Sequence, residues 1–321
     1  MHFHAGPAAP GHFSGPVAMR VAILGPTGNL GSHLCRQCTA RGHEVFPVAR
    51  AVCQLAEPTF SEQLRLKDLL SAFCADLVVN CAAFTDVDGA EEASDQAFLV
   101  NALGARMVAN AARDAGARLV HISTDFVFDG RLNRPYDEFD AVNPQSVYAR
   151  SKWAGEQLVR AASPDCIIVR VGGLYGRGGR NFASLLLSRL QGPTANSAGG
   201  EKQPKLLLDA ERLCAPTWSG VLAQQIVTLA EHAAPGLYHA GCQGETTWFG
   251  FAQALCEEAA ALGWPLATSF QGVATAVICS RAQRPAQSVL DCRMLRLTGL
   301  LQLPHWRVAL RDYLLDMLPH R

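Results

Sequence analysis

Short apolar runs alternate with longer helical patterns along most of the chain. "RVAIL" is followed by helical spacing in "SHLCRQCTARG" and by a second apolar run, "EVFPVA". Further strand-like runs stand at "DLVVNCAA", "ARLVHIS", "CIIVRVGG" and "GLYHAG". Between them, helical patterns cover 61–73, 94–115, 147–162, and 181–190 followed by 217–233. Alternation of this kind predicts an α/β fold with a doubly wound parallel sheet. Ligands of such sheets bind beyond the carboxyl ends of the strands, where "NCAAFTDVD" and "STDF" both fall.

The turn after the first run narrows this reading. "LGPTGNLGSHL" sets Gly25, Gly28 and Gly31 three apart, with Thr27, Asn29 and Leu30 between them, at a strand-to-helix junction. Glycines let the backbone approach a pyrophosphate, and the helix N-terminus offers oriented N–H groups to it. The second run ends in Ala49-Arg50, where an NAD site usually carries a carboxylate for the ribose hydroxyls. Arg50 suits a 2′-phosphate instead, so NADPH is the expected cofactor and NADH the alternative. The predicted fold is therefore Rossmann-like, with residues 19–170 as an NAD(P)-binding domain that is rejoined around 217–241. Residues 1–18 read as a flexible Gly-, Pro- and Ala-rich tail, and 171–321 mainly as a smaller, discontinuous substrate-binding lobe. "QGPTANSAGGEKQPK" (191–205) is a long polar loop of small residues.

Composition removes several classes of function. Of 321 residues, 49% are hydrophobic and 17% charged, enough for a sizeable core. The 28 basic and 28 acidic residues cancel, which argues against nucleic acid or an anionic membrane surface as partner. No apolar run approaches the ~18 residues of a membrane span, and the N-terminus lacks the pattern of a secretory signal. His2, His4 and His12 lie in the tail and are not read as a metal site. Eleven cysteines scattered through apolar segments fit a reducing cytoplasm. Cys35 and Cys38 have redox-motif spacing but fall inside a predicted helix, away from its N-terminus, and are read as structural.

A second cluster follows the strand end "STDFVFDG": Tyr148 and Lys152 in "NPQSVYARSKWAGEQL" are four apart and share a helical face. A phenol, pKa ~10 in isolation, is a poor acid–base group at neutral pH. A lysine ammonium one turn away stabilises its anion. Asp129-Gly130 reads as the turn closing the octapeptide.

From Met19 onward the chain resembles the extended short-chain dehydrogenase/reductases, and within them the dTDP-4-dehydrorhamnose reductase family. The resemblance rests on "NCAAFTDVDGAE", "STDFVFDG", "NPQSVYARSKWAGE", "LYGRGGRNF", "APTW" and "RPAQSVLDCRML", in the family's order. It implies reduction of a nucleotide-activated 4-keto-6-deoxyhexose. In that scheme Tyr148 donates a proton to the carbonyl oxygen as hydride arrives from NADPH. Lys152 lowers the tyrosine pKa and holds the nicotinamide ribose, and Thr124 hydrogen-bonds the carbonyl.

Asn80, Cys81, Ala82, Ala83 and Thr85 match the family's cofactor-and-substrate loop, with Thr85 on the substrate side, and Asn101 its helix-borne polar position. Arg284, Pro285 and Ser288 match the motif that faces the nucleotide-sugar. Asp125 and Phe126 complete the expected substrate contacts. Sister dehydratases place Asp-Glu after the threonine, and Phe126 supplies no second carboxylate, so ketone reduction is expected rather than dehydration. Gly173 stands where the family commonly has tryptophan, leaving that wall of the sugar pocket missing or supplied elsewhere. His33 stands where some members have a magnesium-binding glutamate, so no metal is carried over. A homodimer is left open. The rival expectation is a non-catalytic NADP-binding subunit, because the beta subunit of methionine adenosyltransferase resembles the same family and shares a segment like "AQRP…LDC".

Overall fold

The computed structural model describes residues 18–179, 181–190, 206–264 and 270–317. The expected tail, apart from Ala18, and the 191–205 loop lie outside them. Six parallel strands form the central sheet: β1 (Arg20–Leu24), β2 (Glu44–Val48), β3 (Leu77–Asn80), β4 (Arg118–Thr124), β5 (Ile167–Val171) and, after four short strands elsewhere, β10 (Gly236–His239). Their spatial order is β10-β5-β4-β3-β1-β2. The chain therefore reverses its direction across the sheet between β1 and β3, the crevice where such sheets bind ligands.

Alternation along the buried strands sends side chains to two cores. Val21, Ile23, Leu77 and Val79 face α1 (Asn29–Ala40) and α7 (Ser219–His232). Ala22, Leu24 and Val78 face α2 (Phe60–Phe73), α4 (Ala105–Asp114) and α5 (Val147–Ala162). Helix starts follow local chemistry. Thr59 caps α2 by accepting from Glu62 N–H (3.2 Å), and Ser146 caps α5 by accepting from Ala149 N–H (3.1 Å).

The helical pattern at 94–115 is realised with an interruption. α3 (Ser94–Phe98) runs through a π-helical turn, Leu99–Gly104, into α4. The widened turn presses the Asn101 carbonyl against α5 at Gly155, where a Cβ would stand 2.1 Å from that oxygen. The close approach of the two helices thus depends on a residue without a side chain.

The remaining strands are short and pair in twos outside the main sheet. They are β6 (Leu174–Tyr175) with β9 (Thr217–Trp218), β7 (Leu206–Asp209) with β12 (Phe270–Val273), and β8 (Leu213–Cys214) with β11 (Thr246–Thr247). α6 (Phe182–Leu190), α8 (Trp248–Ala261), α9 (Arg293–Leu297) and α10 (Trp306–Met317) complete the described α-helices. Phe251, Leu255, Leu310 and Tyr313 of α8 and α10 belong to the same apolar cluster as Val21 and Ile23. The later segments thus share a core with the sheet. Periodicity had not singled out α8 and α10.

Candidate active site

Gly25 ends β1 with φ +74°, a left-handed conformation that side chains resist. A Cβ there would also meet the Ala82 backbone nitrogen at 3.1 Å, so the turns after β1 and β3 touch at the switch point. A Cβ on Gly31 would fall 2.1 Å from the Gly25 carbonyl oxygen, which explains the third glycine as helix-to-turn packing. The first turn of α1 has no acidic residue and its N-cap, Gly28, no side-chain cap, leaving a positive dipole end suited to a diphosphate. Thr27 and Arg50 are exposed beside it, Arg50 just past the end of β2, and Leu30 is buried. The Asn29 side chain is engaged elsewhere: its Oδ1 accepts from Ser219 Oγ at 2.7 Å. These residues fit a dinucleotide carrying a 2′-phosphate.

The loop after β3 is held rigidly. Asn80 Oδ1 accepts from Ala82 N–H at 3.1 Å. Asn101 accepts from Phe84 N–H (2.8 Å) and donates to the Phe84 carbonyl (3.0 Å) and to Ser151 Oγ (2.9 Å). Its amide is committed to the protein, so Asn101 shapes the loop that carries Cys81, Ala82 and Ala83 rather than presenting a free amide. Thr85 is exposed at the same loop.

Thr124, Tyr148 and Lys152 come together at the end of β4 and the first turns of α5. Lys152 is 3% exposed and donates to the Ile122 carbonyl at 2.6 Å. Burial lowers its pKa to about 8, with Glu156 pulling in the opposite direction. Tyr148 is pushed up to about 12 by burial, a hydrogen bond with Thr124 opposes the rise, and the Asp125 charge adds to it. The phenol thus carries its proton at neutral pH in the free protein. Beneath this cluster, buried Glu156 accepts from Arg170 Nε (2.9 Å), Arg170 Nη2 (2.8 Å) and Ser123 Oγ (2.5 Å), fixing α5 to β4 and β5.

The turn at Asp129-Gly130 is realised, with Gly130 at φ +79° and Asp129 accepting from Arg131 N–H (3.1 Å) and Tyr136 Oη (2.9 Å). Phe126 packs edge-on to the Tyr148 ring, with centroids 6.2 Å apart. It also lines a cavity of about 250 Å³ that Arg284, Pro285 and Ser288 close from the other side. Arg284 is paired with Asp88 at 2.7 Å, and Asp88 also accepts from Ala282 N–H at 2.9 Å. These bonds hold the Asp88 carboxyl far below the usual carboxylate range.

Gly173 does not line this cavity. Its φ is +56°, and a Cβ would meet Pro216 Cα at 3.0 Å. Aromatic walls come instead from Phe182 and Trp248, whose ring centroids are 4.5 Å apart. Phe182 ends the "LYGRGGRNF" motif, whereas no periodicity or motif distinguished Trp248. Asp88 lay within a quoted motif, and its pairing with a residue 196 positions away was not readable. His33 is buried edge-on to Trp218, beside Arg36 (2.9 Å), and burial lowers its pKa to about 4.

Residues 19–318 match the family model described as the RmlD substrate binding domain. The spore coat polysaccharide biosynthesis protein SpsK of Bacillus subtilis (strain 168) is 35% identical over 92% of this chain and 96% of its own length. The dTDP-4-dehydrorhamnose reductase of Mycobacterium tuberculosis (strain ATCC 25618 / H37Rv) is 37% identical over 91% of each chain. A solved dTDP-4-dehydrorhamnose reductase from Bacillus anthracis, in complex with NADP, superposes with a TM-score of 0.83 at 31% identity, covering 94% of this chain and 100% of that one. The chain belongs to the dTDP-4-dehydrorhamnose reductase family.

Proposed function

We propose that this protein is a cytoplasmic reductase of a nucleotide-activated 4-keto-6-deoxyhexose, using NADPH in preference to NADH. The observation that carries the reading is Tyr148: a proton-bearing phenol, hydrogen-bonded to Thr124 and one helical turn from the Lys152 ammonium, beside the cavity lined by Phe126 and Ser288. NADPH supplies the hydride when bound.

Tyr148 gives its proton to the developing alkoxide. Lys152, held in place through the Ile122 carbonyl, supplies the positive charge that steadies the tyrosinate left behind. Gly25, Gly28 and the first turn of α1 cradle the diphosphate of the cofactor, and Arg50 takes its 2′-phosphate. Arg284, Ser288 and the aromatic pair Phe182–Trp248 receive the nucleotide-sugar. Phe126 contributes no carboxylate for water elimination, so the reaction stops at the alcohol. The names of the relatives favour dTDP as the nucleotide.

The test follows NADPH oxidation by the full chain against dTDP-, GDP- and UDP-4-keto-6-deoxyhexoses. Turnover of the dTDP sugar is expected, with Tyr148→Phe lowering kcat by about 10²–10⁴-fold while NADPH binding persists. Near-normal turnover by that variant refutes the mechanism. Tight cofactor binding without turnover of any sugar is the result a regulatory nucleotide-binding subunit gives.

A further inference from the structure

Asp125 is a carboxyl group buried in the catalytic cluster without a cation to neutralise it. It is 3% exposed and lies at the end of β4. On one side it accepts from Thr124 Oγ1 at 3.1 Å, and on another it is hydrogen-bonded to Ser288 of the C-terminal segment. Gly172, after β5, covers a third side: a Cβ there would stand 2.7 Å from Asp125 Oδ2. The titratable groups whose environment registers the Asp125 charge are Tyr148 on α5 and Cys214 on β8, both neutral at physiological pH. Among the described residues, no lysine or arginine forms a salt bridge with this carboxyl, and none is among the largest influences on it.

The consequence concerns the single proton of Thr124. A hydroxyl donates one hydrogen bond and accepts two. Thr124 Oγ1 already accepts from Phe126 N–H at 3.2 Å; once Tyr148 releases Thr124 and turns to the ketone, one acceptor site and one proton are left. An ionised Asp125 takes that proton, and Thr124 then has none to offer a ketone. A protonated Asp125 donates its own hydrogen to the remaining acceptor site and frees the Thr124 proton to point at the substrate oxygen. Two donors, Thr124 and Tyr148, then converge on the carbonyl.

We infer that Asp125 is a positioning acid that works in its protonated form, turning Thr124 from an acceptor-facing hydroxyl into a hydrogen-bond donor for the substrate ketone. Proton count is conserved: the carboxyl proton is shared with Thr124 and is not consumed, while Tyr148 alone transfers a proton to the product. Desolvation favours the neutral acid and raises the Asp125 pKa to about 6, against hydrogen bonds from Ser288 and Thr124 that favour the anion. The phosphates of bound cofactor and substrate add negative charge to the site and push it higher still. The inference rests on the reductase reading above and assigns a role within it.

The test compares Asp125→Asn and Asp125→Ala with the wild type, using NADPH and the dTDP-4-keto-6-deoxyhexose, across pH 5–9. An asparagine amide donates to Thr124 permanently and its carbonyl accepts from Ser288; alanine does neither. Asp125→Asn should keep kcat within about tenfold of the wild type, whereas Asp125→Ala should lose about 10²-fold, the scale of one donor to a developing oxyanion. Because the active form is protonated, wild-type kcat/KM should fall as pH rises through about 6. In Asp125→Asn this limb should vanish, while the fall at about 8 from Lys152 remains. Equal damage in the two variants, or a wild-type profile flat through the lower limb, overturns the inference and leaves the reductase reading standing. A wild type inactive on the whole sugar panel removes both.

Discussion

The two halves of the site are held together by different physics. The catalytic half sits on regular elements, with Thr124 at a strand end, Tyr148 and Lys152 on the first turns of α5, and the buried Arg170–Glu156 pair locking those elements together. The recognition half is built from two-stranded sheets and irregular segments, and its ion pair, Arg284–Asp88, keeps side chains 26% and 40% exposed. A buried pair is expensive to break because the surviving charge is left without solvent. An exposed pair is worth little in stability and can exchange partners. On the function proposed, chemistry rests on a buried frame and substrate choice on a pair nearer to solvent.

The sharpest way to break this contrast is in the frame. Arg170→Met should cost about 3–5 kcal/mol by leaving Glu156 buried and unpaired, read as a lower denaturation midpoint with the cooperativity slope retained. Replacing both partners, as in Glu156→Leu with Arg170→Met, should recover most of that loss. A single variant as stable as the wild type would refute the frame. On the recognition side, Arg284→Met should raise the KM for the sugar nucleotide about tenfold, roughly 1.4 kcal/mol, with little movement in melting temperature. A stability loss matching that of Arg170→Met would erase the distinction. The smallest effect belongs to Arg50→Ala, whose exposed guanidinium should be worth about 1 kcal/mol to NADPH binding and nothing to NADH, measured as the ratio of their dissociation constants.

Much of the frame was readable because local rules and tertiary structure agreed. The glycine turn, the apolar runs of β1 to β5 and the Tyr148–Lys152 spacing each declare themselves within a dozen residues. The π-helical turn at Leu99–Gly104 was not readable: the Asn101 carbonyl it carries lies against Gly155, on a helix distant in sequence. Asn101 shows the same limit. Its helix-borne polar position was readable, whereas its hydrogen-bond partners, Phe84 and Ser151, lie 17 and 50 positions away.

Gly173 and Phe126 were both expected at the sugar pocket, and they part company. Gly173 is required by a left-handed turn against Pro216, which is a backbone matter rather than a missing wall. Phe126 lines the cavity as expected and touches Tyr148 as well. The aromatic wall itself comes from Phe182, which ends the "LYGRGGRNF" motif, and from Trp248, which no motif marks.

By itself, then, the sequence determined the order of the main-sheet strands, the glycine turn after the first of them and the one-turn spacing of Tyr148 and Lys152, because each depends on residue type and short spacing. Only the tertiary structure decided the environment of those groups. Whether Tyr148 and Asp125 keep their protons, and which partner holds Arg284, depends on burial and on charges brought together from distant segments. Electrostatic free energies follow distance and solvent access in space, and neither is a property of position along the chain.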